Sequence, residues 1–314
     1  MQLLKNIKRL KTSFIMRSLL EDERERAVQF IEKRENECTA LMEQVLKSAE
    51  NVFVLEDVLH GHFCALFYLR NKSTLFHFIP FVKKEPEADF NFSEIQKQEI
   101  EKALFVFLSD LEIFCVSGEY EGTLFINSIL RRAGKILLDL REYILMENDF
   151  SSSACLELED RIDVFVKKCS LEDKNFLIEL ERKYRLEEVV INQKEEDDKI
   201  IHFVLSKALT TQCIFCAMKI ENGKLFAVAK AGTNAQGKNY FQLGGVFCRE
   251  EFRNRRIAFF VIQHLLQFIH SCGKKASLFV KVKNEPAKKL YKNLGFTETG
   301  KYGISYGISY FQKQ

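Results

Sequence analysis

The residues with the greatest potential for chemistry lie in segment 242–258, where an apolar strand-like run with the pair Gly244-Gly245 leads into an arginine-rich loop and a helix. The arginines of that loop are Arg253, Arg255 and Arg256. Two glycines inside a strand favour a bulge, which leaves backbone groups free to hydrogen-bond with an extended ligand. The free N–H groups at the helix N-terminus suit a phosphate or pyrophosphate. An ordinary βαβ unit with solvated arginines explains this segment equally well.

A second segment, residues 280–296, has the pattern of a strand followed by a short helix. Asn284 is a typical N-cap residue, Pro286 fits the first helical turn, and Gly295 fits the position that ends a helix. Tyr291 lies within this helix. The two segments in this order carry more information than either one alone.

Together the two segments resemble the GNAT (GCN5-related) N-acetyltransferase superfamily. The acetyl-CoA motif of that family is a bulged strand followed by Arg/Gln-x-x-Gly-x-Gly/Ala, and here it reads Arg253-Asn254-Arg255-Arg256-Ile257-Ala258. The family's last helix commonly reads Asn-x-x-Ala-x-x-Leu-Tyr-x-x-x-Gly-Phe, which corresponds here to the run from Asn284 to Phe296. The resemblance covers about half of the chain.

The resemblance implies that acetyl-CoA is the co-substrate and that no metal takes part. The strand residues before the loop would pair with the pantetheine arm, and the backbone amides of residues 253–258 would hold the pyrophosphate. Tyr291 would be the catalytic residue that protonates the leaving CoA thiolate. Tight packing of Tyr291 against the sheet is the alternative, because a buried tyrosine hydroxyl needs a partner in any case. The full set of implied cofactor-binding residues is Val246, Phe247, Cys248, Arg253, Asn254, Arg255, Arg256, Ile257, Ala258 and Asn284.

The sequence departs from the family pattern at two positions. Arg256 stands where the family usually has glycine, and we expect it to take helical backbone angles that keep the amides directed at the phosphates. Gln242 stands where several members place a catalytic glutamate on the bulged strand. Because an amide does not accept a proton at neutral pH, Gln242 is assigned at most a role in positioning the substrate or a water.

The elements that position these residues follow the order of a mixed α/β fold. From residue 162 onward the pattern predicts a strand, two helices, a hairpin around Asn222-Gly223, a strand, a helix, a strand, a helix and a final strand. This order predicts a GNAT-like mixed central sheet flanked by helices. The first half has a similar order without the arginine-rich loop, and we interpret it as a degenerate second GNAT-like domain.

The length of 314 residues favours two domains. The serine run at residues 151–153 is the best linker candidate. We therefore predict an N-terminal α/β domain at residues 1–150 and an acetyl-CoA-dependent N-acetyltransferase domain at residues 158–314.

Charge and composition exclude several classes of protein. The net charge of +3 provides no bulk field for binding a phosphate backbone, so a nucleic-acid partner is not expected. No run has the length and apolarity of a signal peptide or a membrane helix. The 9 cysteines are scattered through apolar runs, as is typical of reduced thiols in a cytoplasmic protein. Cys213 and Cys216 have CxxC spacing, but in a strand they face opposite sides of the sheet.

The resemblance implies an N-acetyltransferase that moves the acetyl group of acetyl-CoA to a primary amine by direct attack in a ternary complex, and the cysteine usage adds the expectation that it is cytoplasmic. A catalytically inactive acyl-CoA-binding or regulatory module is the alternative, favoured by Gln242 and Arg256. The acceptor, the general base and the oligomeric state stay open, with a homodimer among the options.

Overall fold

A computed structural model describes residues 13–82, 90–135, 137–150, 164–189 and 197–307. The chain forms two compact units, the first comprising residues 1–143 and 301–314 and the second residues 144–300. The serine run chosen as the linker lies outside the described residues. The compact units differ from the predicted domain ranges at two places, because residues 301–314 belong to the first unit and residues 144–150 to the second. The ranges 1–150 and 158–314 stay a prediction.

The elements follow one another as a mixed α/β chain, as predicted. The strands are β1 (Phe14–Ser18), β2 (Val52–Asp57), β3 (His62–Arg70), β4 (Thr74–Phe78), β5 (Cys115–Glu119), β6 (Leu137–Asn148), β7 (Phe165–Lys168), β8 (Ile214–Glu221), β9 (Lys224–Gln236), β10 (Tyr240–Cys248), β11 (Lys275–Lys281) and β12 (Thr297–Gly307). The helices are α1 (Arg24–Glu32), α2 (Thr39–Lys47), α3 (Glu94–Ser109), α4 (Tyr120–Arg132), α5 (Lys174–Tyr184), α6 (Asp198–Thr211), α7 (Ile257–Ser271) and α8 (Glu285–Asn293). None of the helices in the described ranges is long and apolar enough to cross a membrane.

In the first unit the strands are hydrogen-bonded in the order β1-β2-β3-β4-β5-β12. The neighbours from β1 to β4 are antiparallel, β4 and β5 are parallel, and the part of β12 in this unit runs antiparallel to β5. One hydrophobic core contains residues of α3 and α4, and a second contains residues of α1 and α2. The sequence pattern did not predict β1, in which only Phe14 is fully buried.

In the second unit the strands are hydrogen-bonded in the order β11-β10-β9-β8-β7, and only the β10–β11 pair in this run is parallel. The predicted hairpin is confirmed, since Asn222 and Gly223 have φ values of 51° and 72°, as a type I′ turn requires. Cys213 lies in the core that contains α7, and Cys216 lies in the core that contains α5 and α6. The two cysteines therefore face opposite sides of the sheet, as predicted.

His77 fills the space at the end of the parallel β4–β5 pair in the first unit. Its side chain is buried, with Nε2 at 2.9 Å from Thr123 Oγ1. A Cβ atom added at Gly118 or Gly122 would overlap the imidazole ring, so the ring packs directly on both glycines. Burial lowers the pKa of His77 to about 3, and the ring is neutral in the folded chain.

We predict that His77 makes the first unit less stable in acid. The unfolded chain protonates this histidine near pH 6.5, whereas the folded chain resists protonation down to about pH 3, so stability falls as pH decreases through that interval. The loss from this group amounts to about 2 kcal/mol at about pH 5 relative to neutral pH. Denaturant unfolding at a series of pH values measures it.

A His77→Gln variant keeps an amide that can bond Thr123 but cannot titrate, so its free energy of unfolding should vary less with pH between about 6.5 and 4. Parallel pH profiles for the variant and the natural chain would contradict the prediction.

Candidate active site

Strand β10 contains the bulge that the glycine pair predicted. Gly244 pairs with Gly232 and Phe247 with Lys230, so two residues of β10 lie opposite one residue of β9. Gly245 has a φ of 60°, in the left-handed region that favours glycine. A bulge turns backbone groups away from the ladder, so the groups of residues 245 and 246 are available to another partner.

The cavity next to this bulge lies where β10 and β11 separate. The two strands pair in parallel only from Tyr240 to Gln242 and from Lys275 to Ser277. A cavity of about 530 Å³ lies at the bulged end of β10. Its lining comes from the end of β10, the following loop, the starts of α7 and α8, and two glutamates: Glu187, Glu188, Val246, Phe247, Cys248, Phe252, Arg253, Asn254, Arg256, Ile257, Ala258, Phe259, Asn284, Pro286, Ala287 and Leu290.

The start of α7 faces this cavity with unused backbone donors. The helix begins at Ile257, and its N-cap residue Arg256 supplies no side-chain hydrogen bond to the first turn. Helix geometry leaves the first N–H groups without partners inside the helix, and the positive end of the helix dipole adds to their attraction for an anion. The cavity can therefore hold a phosphate group at this point.

The backbone of Arg256 differs from the expectation of helical angles. Its φ and ψ are 58° and 6°, a left-handed conformation that costs an L-residue about 1 kcal/mol. Glycine takes this conformation freely, which explains why the family that this sequence resembles usually has glycine at the corresponding position. The side chain of Arg256 lines the cavity.

The side chain of Asn284 has a structural task as well as a place in the cavity wall. Its Oδ1 accepts a hydrogen bond from the backbone N–H of Ala287 at 3.2 Å and so caps α8. Pro286 lies in the first turn, as predicted from the sequence. The cap fixes the direction in which α8 leaves the cavity, and the side chains of Ala287 and Leu290 form an apolar wall.

Two acidic side chains bind basic groups at this cavity. A five-residue π-helical segment, Arg185–Val189, extends the end of α5. Both carboxylate oxygens of Glu187 accept hydrogen bonds from Arg253 Nη2 at 2.7 Å, and Lys281 Nζ donates to Glu188 at 2.6 Å. The carboxylate of Glu187 thus occupies the position at which Arg253 would meet an anionic ligand.

The structure brings most of the predicted site residues together and leaves three outside the lining. The described residues that line the cavity do not include Arg255, Gln242 or Tyr291. Arg255 is exposed, with its guanidinium carbon 5.7 Å from the centre of the Phe252 ring. Gln242 is buried and sits in the last β10–β11 pair, and its assignment to substrate positioning stays a prediction.

Tyr291 is buried in the last turn of α8. It directly follows Leu290, which lines the cavity. Its ring packs against Phe296 with the ring centres 5.8 Å apart. Burial, with contributions from Glu188 and Tyr184, raises the pKa of Tyr291 well above its ordinary value. The packing fits the structural alternative and the protonated hydroxyl fits a proton donor, so the catalytic assignment stays a prediction.

Cys248 also lines the cavity, and its thiol is a potential nucleophile. Burial raises the pKa of Cys248 to about 11. Because the thiolate is the reactive form, this thiol is protonated and unreactive near neutral pH. The environment assigns Cys248 to the wall of the cavity rather than to covalent chemistry.

The sequence interpretation missed a buried charged pair near the bulge. Lys230 Nζ donates a hydrogen bond to Glu181 Oε2, and both residues are buried. Two sequence signals could have found it. Lys230 interrupts an apolar run of β9, and Glu181 follows Leu177 by four residues and precedes Tyr184 by three, which places its side chain on the buried face of α5.

We predict that the free energy of unfolding of Arg256→Gly exceeds that of Arg255→Gly by about 1 kcal/mol, because both variants add flexibility to the unfolded chain but only the glycine at position 256 relieves left-handed strain. Arg255→Gly is the matched control. Its φ is not positive, so glycine relieves no strain there and only adds flexibility to the unfolded chain. Equal effects of the two substitutions in denaturant unfolding would be evidence against strain at Arg256.

Comparison with known proteins agrees with this arrangement. Residues 176–296 match the family model of the acetyltransferase (GNAT) family. No curated protein has a significant match to the chain.

Similar solved structures include a Drosophila protein (10% identity, TM-score 0.57, covering 91% of this chain and 86% of that one). A GCN5-related N-acetyltransferase from Sphaerobacter thermophilus has 12% identity and a TM-score of 0.54, covering 93% of this chain and 95% of its own. A tandem GNAT protein from the clavulanic acid biosynthesis pathway has 9% identity and a TM-score of 0.51, covering 93% and 97%. At such identities the likeness shows the fold alone, and it extends over the first half of the chain as well as the second. The chain thus has the tandem GNAT fold, and its residues 176–296 match the GNAT acetyltransferase family.

Proposed function

We propose that the second unit binds acetyl-CoA and transfers its acetyl group to the primary amine of an acceptor. The observation that carries this proposal is that the bulged end of β10, the start of α7 and the N-cap residue of α8 line one cavity. The bulge offers backbone hydrogen bonds to an extended chain, and the helix start offers amides to an anion. Coenzyme A contains both kinds of group, because its pantetheine arm is an extended chain and its pyrophosphate is an anion.

The proposed cofactor contacts are those predicted from the sequence. Backbone groups of residues 246–248 pair with the pantetheine arm, and the amides of residues 253–258 hold the pyrophosphate. Asn284 lies beside the cofactor, where its Oδ1 already caps α8. With Arg255 outside the lining, Arg253 and Arg256 supply the positive side chains at the phosphate end.

In the proposed reaction the acceptor nitrogen attacks the thioester carbon within a ternary complex, a C–N bond forms and the C–S bond breaks. A backbone amide of the bulge polarises the thioester carbonyl, and Tyr291 gives its proton to the departing thiolate. The phenol of Tyr291 is protonated at neutral pH, as that of an ordinary tyrosine is, and burial raises its pKa further, so the hydroxyl carries the proton that this step requires. Orientation of the two substrates supplies the rest of the rate enhancement.

Gln242 does not supply a base to this reaction, because an amide accepts no proton at neutral pH. The proton of the acceptor amine therefore leaves through ordered water, through another residue or in bulk before binding. The same absence of a carboxylate at position 242 favours the second candidate, an acyl-CoA-binding or regulatory module that performs no transfer. The strained backbone of Arg256 favours that candidate too.

We also propose that the protein works in the cytoplasm. The eight cysteines in the described part of the chain are all free, and six of them are buried. Reduced buried thiols are typical of proteins in a reducing compartment.

Glu187 should compete with coenzyme A for Arg253. Replacing its carboxylate in Glu187→Gln frees the guanidinium, and we expect coenzyme A to bind about threefold more tightly, the size that an exposed ion pair allows. Isothermal titration calorimetry at low salt measures the dissociation constant. Glu179→Gln on the same helix is the control, because Glu179 pairs with Arg182 instead and does not line the cavity. Weaker binding by Glu187→Gln would contradict the competition.

Tyr291→Phe separates the two candidate functions. If Tyr291 protonates the thiolate, the variant should bind coenzyme A as the natural chain does but release thiol from acetyl-CoA on the order of 100-fold more slowly in the presence of a panel of small primary amines. Tyr240→Phe is the control, because the Tyr240 hydroxyl donates to Glu147 at 2.9 Å and the residue does not line the cavity. Unchanged turnover in Tyr291→Phe would contradict the proton-donor role of Tyr291, whereas no turnover by a natural chain that binds coenzyme A would count against the enzyme.

A further inference from the structure

A buried polar cluster lies beside the bulge of β10. Lys230 and Glu181 have exposed fractions of 8% and 5%, and Lys230 is the one buried lysine among the residues that the structure describes. The Lys230 Nζ donates to Glu181 Oε2 and lies 3.9 Å from the centre of the Tyr184 ring. Two partners on helix α5 thus fix the position of the amino group.

The amino group of Lys230 points toward the bulge itself. Lys230 pairs with Phe247, the first residue of β10 after the bulge, and Phe247 lines the cavity. A Cβ atom built on Gly245 would have Lys230 Nζ as its nearest neighbour, at 3.8 Å. Because Gly245 has no side chain, the amine lies within contact distance of the bulge, and Phe247 links it to the cavity, whose described lining includes neither Lys230 nor Gly245.

Stability alone gives little reason for this pair. Removing a lysine and a glutamate from water costs several kcal/mol per ion, and the attraction between them roughly offsets that cost, so an apolar pair of similar size would be at least as stable. A buried amine that is hydrogen-bonded to a carboxylate is, however, the pair of groups that acetyl transfer needs: a nucleophile with its proton acceptor.

We propose that Lys230 is a site of self-acetylation, with bound acetyl-CoA as the donor. This inference rests on the proposed function, which places the thioester at the bulge of β10. Lys230 Nζ passes one proton to Glu181 and attacks the thioester carbon. The C–N bond forms, the C–S bond breaks, and the nitrogen's second proton goes to the thiolate. The products are Nζ-acetyl-Lys230, protonated Glu181 and free coenzyme A, so charge and atoms balance.

Acetylation of Lys230 would change the site that carries it. The amide product has no positive charge, so the ion pair with Glu181 and the cation–π contact with Tyr184 are both lost. An amide is too stable to pass its acetyl group onward under these conditions, so the modification is an end product rather than an intermediate. It would set an upper limit on the number of active molecules when acetyl-CoA is present without an acceptor.

The test needs no knowledge of the acceptor. The full chain is incubated with acetyl-CoA alone, its intact mass is followed over time, and peptide mapping identifies the modified lysines. We expect one acetyl group per chain, located at Lys230, with a rate that saturates as acetyl-CoA increases. Lys230→Arg keeps the positive charge and should show no such addition, whereas Lys224→Arg, at the exposed start of the same strand, should behave as the natural chain does.

Each result decides the matter. Coenzyme A binding by calorimetry together with an unmodified Lys230 overturns the self-acetylation and leaves the proposed function standing. A chain that binds no coenzyme A overturns both. Acetylation of Lys230 at the same rate in the urea-unfolded chain shows a non-enzymatic reaction and overturns the inference. Thermal unfolding of Lys230→Arg shows whether that variant is folded, and the mapping of the natural chain decides the question without it.

Discussion

The site depends on the point at which backbone pairing between β10 and β11 stops. The parallel register ends at Gln242 and Ser277, and the bulge follows within three residues. Backbone N–H and C=O groups are costly to bury without a partner, so a strand that leaves its neighbour creates a place for an extended ligand. Glycine at position 245 makes the bulge possible because its φ of 60° is unfavourable for other residues.

Charged side chains around this site form ion pairs with one another, and these pairs differ in how far they are buried. Glu187 with Arg253 and Glu188 with Lys281 are half-exposed contacts made by one π-helical segment, so an anionic ligand can compete for the basic groups at modest cost. Lys230 with Glu181 is buried, and breaking that pair leaves an uncompensated charge. The exposed pairs therefore suit reversible binding, and the buried pair suits a fixed arrangement of reactive groups.

Much of the fold and of the candidate site follows from local sequence signals. The Asn222-Gly223 hairpin and the Asn284 cap are decided by residues close in the chain, so periodicity and turn chemistry find them. The bulge follows from the glycine pair for the same reason. Strand β1 was missed because a short strand with one fully buried side chain has almost no alternation.

The parts that escaped prediction depend on contacts between distant segments. Helical angles were expected for Arg256, but the turn into α7 requires a positive φ, which residue identity alone does not reveal. Glu187 meets Arg253 across 66 positions of sequence, and Lys230 meets Glu181 across 49. No spacing rule links such pairs, although the sequence next to Lys230 and next to Glu181 indicates that each of these residues is buried.

The central claim is that backbone groups of the bulge and of the start of α7 bind the cofactor. Amide hydrogen exchange tests this claim most directly. Exchange is measured with and without saturating coenzyme A, resolved to single amides. The account predicts slower exchange on binding at residues 246–248 and 257–259, with little change at the backbone of residues 115–119 in the first unit. Protection that is absent from those two stretches, or that appears instead at β5, would contradict it.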